Sequence, residues 1–247
     1  MSMNSMMQFR TSYLKAIAKA WADPALFRRM ATSDDGFAFL EGPKPNWDVE
    51  LHFRENRMPG NGYRPELTGS WVGPNAILEL RLPKAPDDAE EHAAALAEYY
   101  ALLPSPFGFE RSEEVQDGAE SGGSSHQVTS AGAGGSGMGH FSDALVLGGV
   151  VMRALALSWE SADFREHVFS RGRALGALQA WLGYSCPWNM DIEAVPSSIE
   201  WLPGLGFSAK PRNRLTMWLP NRPEGHGLGV ALAAYNQTGD AYPLTCP

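Results

Sequence analysis

Apolar and polar positions follow two periods along this chain, and each pattern occurs twice. Residues 13–21 carry apolar side chains at helical spacing, bounded by Tyr13 and Trp21. A second helix is expected after Asp23, which has the side chain of an N-cap, with Pro24 at the first helical position. Residues 47–53 alternate instead. Trp47, Val49, Leu51 and Phe53 fall on one face and Asp48, Glu50 and His52 on the other, the pattern of a half-buried strand. Residues 76–82 alternate again, with Ile77 opposed to Leu78, and stop at Pro83. Residues 87–103 read as a helix with acidic residues in the first turn, where the helix dipole favours them.

The order returns in the second half of the chain as helix, helix, strand, loop and strand, with residues 196–211 as the loop. The closing segment, 225–235, contains Gly225, Gly227 and Gly229, so its helix is expected to be shorter or weaker. Four blocks of sequence match in the same order. AIAKAWADPALFRRM around Trp21 lies over ALALSWESADFREHV around Trp159, which places Asp23 on Ser161 and Pro24 on Ala162. PNWDVELHF matches PWNMDIEAV, with Asp48 and Glu50 set against Asp191 and Glu193. AILELRLPKAP matches RLTMWLPNRP, and AALAEYYALLP matches VALAAYNQTGDAYPL. The chain therefore reads as a tandem duplication of one small α+β domain. The copies span 7–116 and 140–247, and an isologous pseudo-two-fold pairing would let each cover the other's apolar surface. Between them, 117–139 is rich in Gly and Ser and lacks aromatic residues, the composition of a flexible linker.

Composition narrows the function classes. A net charge of −8 argues against nucleic acid and anionic membranes as principal partners, since both select for clustered Lys and Arg. No apolar run approaches the length of a bilayer span, and the N-terminus has no secretory pattern, so a cytoplasmic setting is expected. The only cysteines are Cys186 and Cys246, too few for a disulfide framework.

Familiar catalytic constellations do not emerge. His52, His92, His126, His140, His167 and His226 are not spaced as metal-ligand pairs, and there is no Cys-x-x-Cys. Neither a nucleophile elbow nor a phosphate-binding glycine loop is present. Cys186 reads as a small buried residue at a helix-to-strand turn. Asp48 with Glu50, and Asp191 with Glu193, are carboxylate pairs that could hold a metal or act as acid and base. They also suit the solvated face of an edge strand. Trp21 and Trp159 read as packing residues.

The strings KAWADPALFRRM, DVELHF and ILELRLP, with SRGRALGALQAWLGY in the second half, resemble the nitrile hydratase alpha subunit and its relatives. That enzyme's metal site needs a Cys-x-x-Cys-Ser-Cys motif after the strand. Here DVELHF runs into RENRMPG and DIEAV into PSSIE, so no catalytic or metal-binding residue is carried over. Together with ALAEYYALLPS and the paired copies, the blocks are similar to nitrile-hydratase-related leader peptides. Within that group they resemble thiazole/oxazole-modified microcin (TOMM) bacteriocin precursors.

The resemblance implies a substrate rather than an enzyme. Its folded leader would be recognised by a cyclodehydratase, often with a flavin dehydrogenase, and would need no cofactor of its own. It also implies that Cys, Ser or Thr residues become azole rings. The candidates are Thr238, Thr245 and Cys246 near the C-terminus and, less favoured, Ser121, Ser124, Ser125, Thr129, Ser130 and Ser136. Two alternatives stand beside it. One is an unmodified scaffold that binds the same enzymes. The other is a divergent nitrile-hydratase-like metalloenzyme built on Asp48, Glu50, Asp191 and Glu193.

Overall fold

The structure is a computed structural model that describes residues 3–45, 47–65, 70–103, 105–107, 139–225 and 227–237. The expected linker at 117–138 lies outside the described residues, as do the azole candidates, His126 and His226. In the first half, α1 (Met3–Ala22) and α2 (Pro24–Thr32) lead to β1 (Val49–Glu55). A hairpin of β2 (Gly62–Arg64) and β3 (Ser70–Val72) follows, then β4 (Ala76–Pro83) and α3 (His92–Leu102). The second half repeats the plan with α4 (Gly139–Glu160), α5 (Ala162–Val168) and an added α6 (Ala174–Leu182), then β5 (Met190–Ser197). The short β6 (Trp201–Leu202) and β7 (Gly206–Phe207), β8 (Asn213–Leu219) and α7 (Leu228–Gln237) complete it.

Local chemistry accounts for most boundaries. The Asp23 side chain accepts from the Ala25 amide and Ser161 from the Phe164 amide, so both second helices are N-capped as their sequences suggest. Gly183 ends α6 in the left-handed conformation, where a side chain would be strained. Two expectations need correction. The acidic start of the 87–103 segment is a 3-10 turn, Ala89–Glu91, capped by Asp88, and the α-helix begins only at His92. The 196–211 loop carries the β6–β7 hairpin, whose strands are too short to show a period. The closing helix begins at Leu228, beyond Gly225 and Gly227, as the glycine run implied.

One four-stranded sheet runs through both halves in the order β1-β8-β4-β5. Its outer pairs are parallel, and its central pair, β4 with β8, is antiparallel. No two long strands of the same half are neighbours. Leu78 pairs with its own counterpart Leu215, so the pseudo-two-fold axis passes between them. Leu51, Leu215, Leu78 and Ile192 then form one buried row across the sheet. This register aligns Leu51 with Ile192 and Trp47 with Trp188. Glu50 therefore corresponds to Asp191, not Glu193, so a match by carboxylate identity is two residues out of register.

Helices and hairpins are exchanged as well. α7 packs on α1 and β3 of the first half, while α3 packs on α4 and β7 of the second. The Trp21 indole donates to the Pro220 carbonyl at 2.9 Å, and its counterpart Trp159 donates to the Pro83 carbonyl at 3.0 Å. The resulting core is continuous across the halves. Phe107 sits edge-on to both Trp47 and Trp188, at 5.7 and 5.5 Å between ring centroids.

Candidate functional site

The face of the sheet opposite the core is polar, and its charges largely answer one another. Glu50, Arg214, Glu79 and Glu193 form one register row. Arg81 reaches Glu50 at 3.2 Å and Glu79 at 3.0 Å, and Arg214 lies 3.8 and 3.6 Å from the same two carboxylates. His52 is buried beside this row. Arg54 Nη2 donates to His52 Nδ1 at 3.0 Å, and because a guanidinium has no acceptor, that nitrogen must be the unprotonated one. Burial, with Arg214 and Arg54 nearby, holds the imidazole pKa below its usual value. A cleft of about 490 Å³ opens here, bordered by Lys44, Arg212 and Asp34 as well as the ladder residues.

This arrangement does not bring the candidate carboxylates together. Asp48 is tied to Lys210 at 2.5 Å, and Glu50 to the arginines. Asp191 accepts from the Asn75 amide at 3.3 Å. β1 and β5 are opposite edges of the sheet, so the two pairs stand about 14 Å apart at ordinary strand spacing. Among the described residues no group of three or more His, Cys, Asp or Glu side chains converges on one point. Cys186 is half-buried, with its thiol directed to the Trp188 carbonyl at 3.6 Å, and burial pushes its pKa up. It is a packed thiol rather than an activated one.

A second cleft, about 770 Å³, has a different character. α2 contributes Arg28, Arg29 and Thr32, β1 and the turn after it contribute Arg54, Glu55 and Arg57, and β8 adds Trp218. Arg57 is paired with Glu55 at 2.7 Å, and Arg54 is held by the Ser33 carbonyl at 3.2 Å and Asp34 at 3.5 Å. Arg28 donates to the Pro24 carbonyl at 3.3 Å, and Arg29 has no such partner among the described residues. Four guanidinium groups around one carboxylate give a locally basic groove on a chain of net charge −8. Their planar donor forks suit carboxylates or phosphates. The pseudo-symmetric positions hold Glu166, His167 and Val195 in place of Arg28, Arg29 and Arg54, and Arg81 in place of Trp218. The groove is thus a property of one lobe, superimposed on a symmetric frame. Sequence reasoning missed it, although the Arg28–Arg29 doublet was a visible signal.

The last described residues of each half are anchored. Arg10 Nε donates to the Asn236 side chain at 2.6 Å, and its Nη2 donates to the Asn236 carbonyl, so α7 is fastened one residue before its end. Thr238 follows immediately in sequence. Phe107, wedged between the two tryptophans, plays the same part at the close of the first half.

A family model described as "ribosomal natural product, two-chain TOMM family" matches this sequence twice, over residues 4–106 and 143–243. The chain belongs to that family. No curated protein and no solved structure matches it. The two matched regions coincide with the two pseudo-symmetric halves, so the TOMM-family unit is the repeat itself. Each unit contains a capped helix pair, an edge strand, a hairpin, a central strand and a closing helix. Among the described residues no helix is long and apolar enough to cross a membrane.

Proposed function

We propose that the chain is a precursor of a ribosomally made, azole-containing product, a substrate whose folded part is the recognition element for its modifying enzymes. Membership of the two-chain TOMM family, over both halves, carries this reading. Thr238, Thr245 and Cys246 are the residues assigned to modification. Ser121, Ser124, Ser125, Thr129, Ser130 and Ser136 form the less favoured second set. In each case the side-chain oxygen or sulfur adds to the carbonyl carbon of the preceding residue, and that carbonyl oxygen departs as water. Oxidation of the ring by a flavin dehydrogenase would remove two further hydrogens. For Thr238 the carbonyl belongs to Gln237, the last residue of the anchored helix.

The arginine groove is the surface assigned to the cyclodehydratase contact. Its basic character, and its confinement to one lobe, support a directional encounter with an acidic partner surface. Incubation of the chain with its cyclodehydratase and ATP should lower the intact mass by one water for each ring. Cys246→Ala should abolish one of those losses, and the double variant Arg28→Glu/Arg29→Glu should slow all of them. An unchanged mass under conditions where the enzyme is active refutes the precursor reading. The same outcome with retained binding supports the alternative of an unmodified scaffold, which the single cysteine of residues 238–247 favours.

A further inference from the structure

The two halves are not domains laid side by side. β1 and β4, the long strands of the first half, do not touch as neighbours, and neither do β5 and β8. Taken alone, either half would therefore lack every ladder that joins its long strands. Its buried leucine row would face water, and the donors and acceptors of its central strand would lose their partners on both sides.

The exchanged helices tell the same story. Tyr13 of α1 meets Tyr235 of α7 hydroxyl to hydroxyl at 3.2 Å, and Trp71 of β3 donates to the Ala231 carbonyl at 2.7 Å. Reciprocally, Trp201 donates to the Glu91 carboxylate at 2.7 Å, and Tyr99 packs edge-on against Phe207 at 6.2 Å. Each closing helix thus completes the core of the other half.

We infer that one family unit is a complete binding surface for a second such unit, and that this chain is a tethered, intertwined heterodimer whose tether the fold does not require. The recognition chemistry is specific: antiparallel pairing of the two central strands, each edge strand added in parallel to the partner's central strand, a closing helix laid on the partner's first helix and hairpin, and a tryptophan aimed at the partner's strand-end proline. A covalent link between two such units raises the effective concentration of each for the other. Obligate pairs of this kind have no stable folded protomer, so their stability follows protein concentration once the link is cut. The pairing follows from the strand order and holds whether or not any azole forms.

A specific protease site inserted between Gly122 and Gly123 of the full-length chain tests it. After cleavage, both fragments should co-elute at the size of the uncut chain and separate only in denaturant. The thermal midpoint should become concentration-dependent, whereas that of the uncut chain should stay independent of concentration. Fragments that part under native conditions, each with its own cooperative unfolding transition, would overturn the inference. Co-expression of 1–116 and 117–247 as separate chains, one carrying an affinity tag, supplies a second readout. Capture in a one-to-one ratio is expected, and capture of a folded tagged half alone contradicts it.

Discussion

Trp21 and Trp159 hold the exchange together at the level of single side chains, each donating to a buried carbonyl of the opposite half. Trp21→Phe or Trp159→Phe keeps an aromatic ring and removes the donor, leaving a carbonyl unsatisfied. Each should cost about 1–3 kcal/mol in urea denaturation. Similar losses at the two sites are expected from their equivalence. His52 adds a pH dependence of known sign. Its folded pKa lies below the unfolded value, so the folded state favours the neutral ring. The associated stability is full above about pH 6.5 and declines as pH falls toward the lowered folded pKa. The thermal midpoint of the wild-type chain should therefore drop between pH 7 and 5 more steeply than that of His52→Gln. Cys186, raised by burial, should react slowly with iodoacetamide at pH 8 in a Cys246→Ala background. Fast alkylation there would show an activated thiol instead.

At the scale of elements, Gly36 is a sensitive point. A Cβ at that position would lie 2.7 Å from the Leu51 carbonyl oxygen, because the 3-10 turn Gly36–Phe39 rests directly on β1. Gly36→Ala should destabilise by about 1–3 kcal/mol, as overpacking does, with the loss read from chemical denaturation. β1 itself was legible in sequence, since Val49, Leu51 and Phe53 alternate with polar residues and all three are buried. The helix starts at Pro24 and Ala162 were legible through their caps. Partnership was not. Alternation says which face of a strand is buried, but not which strand lies beside it, so nothing in DVELHF points to β8 rather than β4. The displaced carboxylate match has the same origin: identity pairs Glu50 with Glu193, whereas register pairs it with Asp191. The arginine groove was hidden for a related reason, because α2, β1 and β8 supply it from distant parts of the chain. The azole candidates fall outside the described residues, and their assignment rests on the family.

At the scale of the whole molecule, duplication has given a frame with two-fold order and one-sided chemistry. The leucine rows and the tryptophan–proline contacts obey the symmetry, as structural roles require. The guanidinium groups of the groove do not, since Glu166, His167 and Val195 stand at the positions equivalent to Arg28, Arg29 and Arg54. If the groove steers an acidic enzyme, association of the wild-type chain should weaken as salt rises. The Arg28→Glu/Arg29→Glu variant should lose most of that salt dependence in a binding titration. The most direct test of the precursor assignment is the intact and peptide-level mass of the chain purified from its native cells. Loss of one water per ring is expected, with two further hydrogens where the ring is oxidised. These losses should fall within residues 238–246 or, for the second set, within 121–136. An unmodified mass, with the cyclodehydratase present and active in the same cells, would refute the precursor reading and leave a binding scaffold in its place.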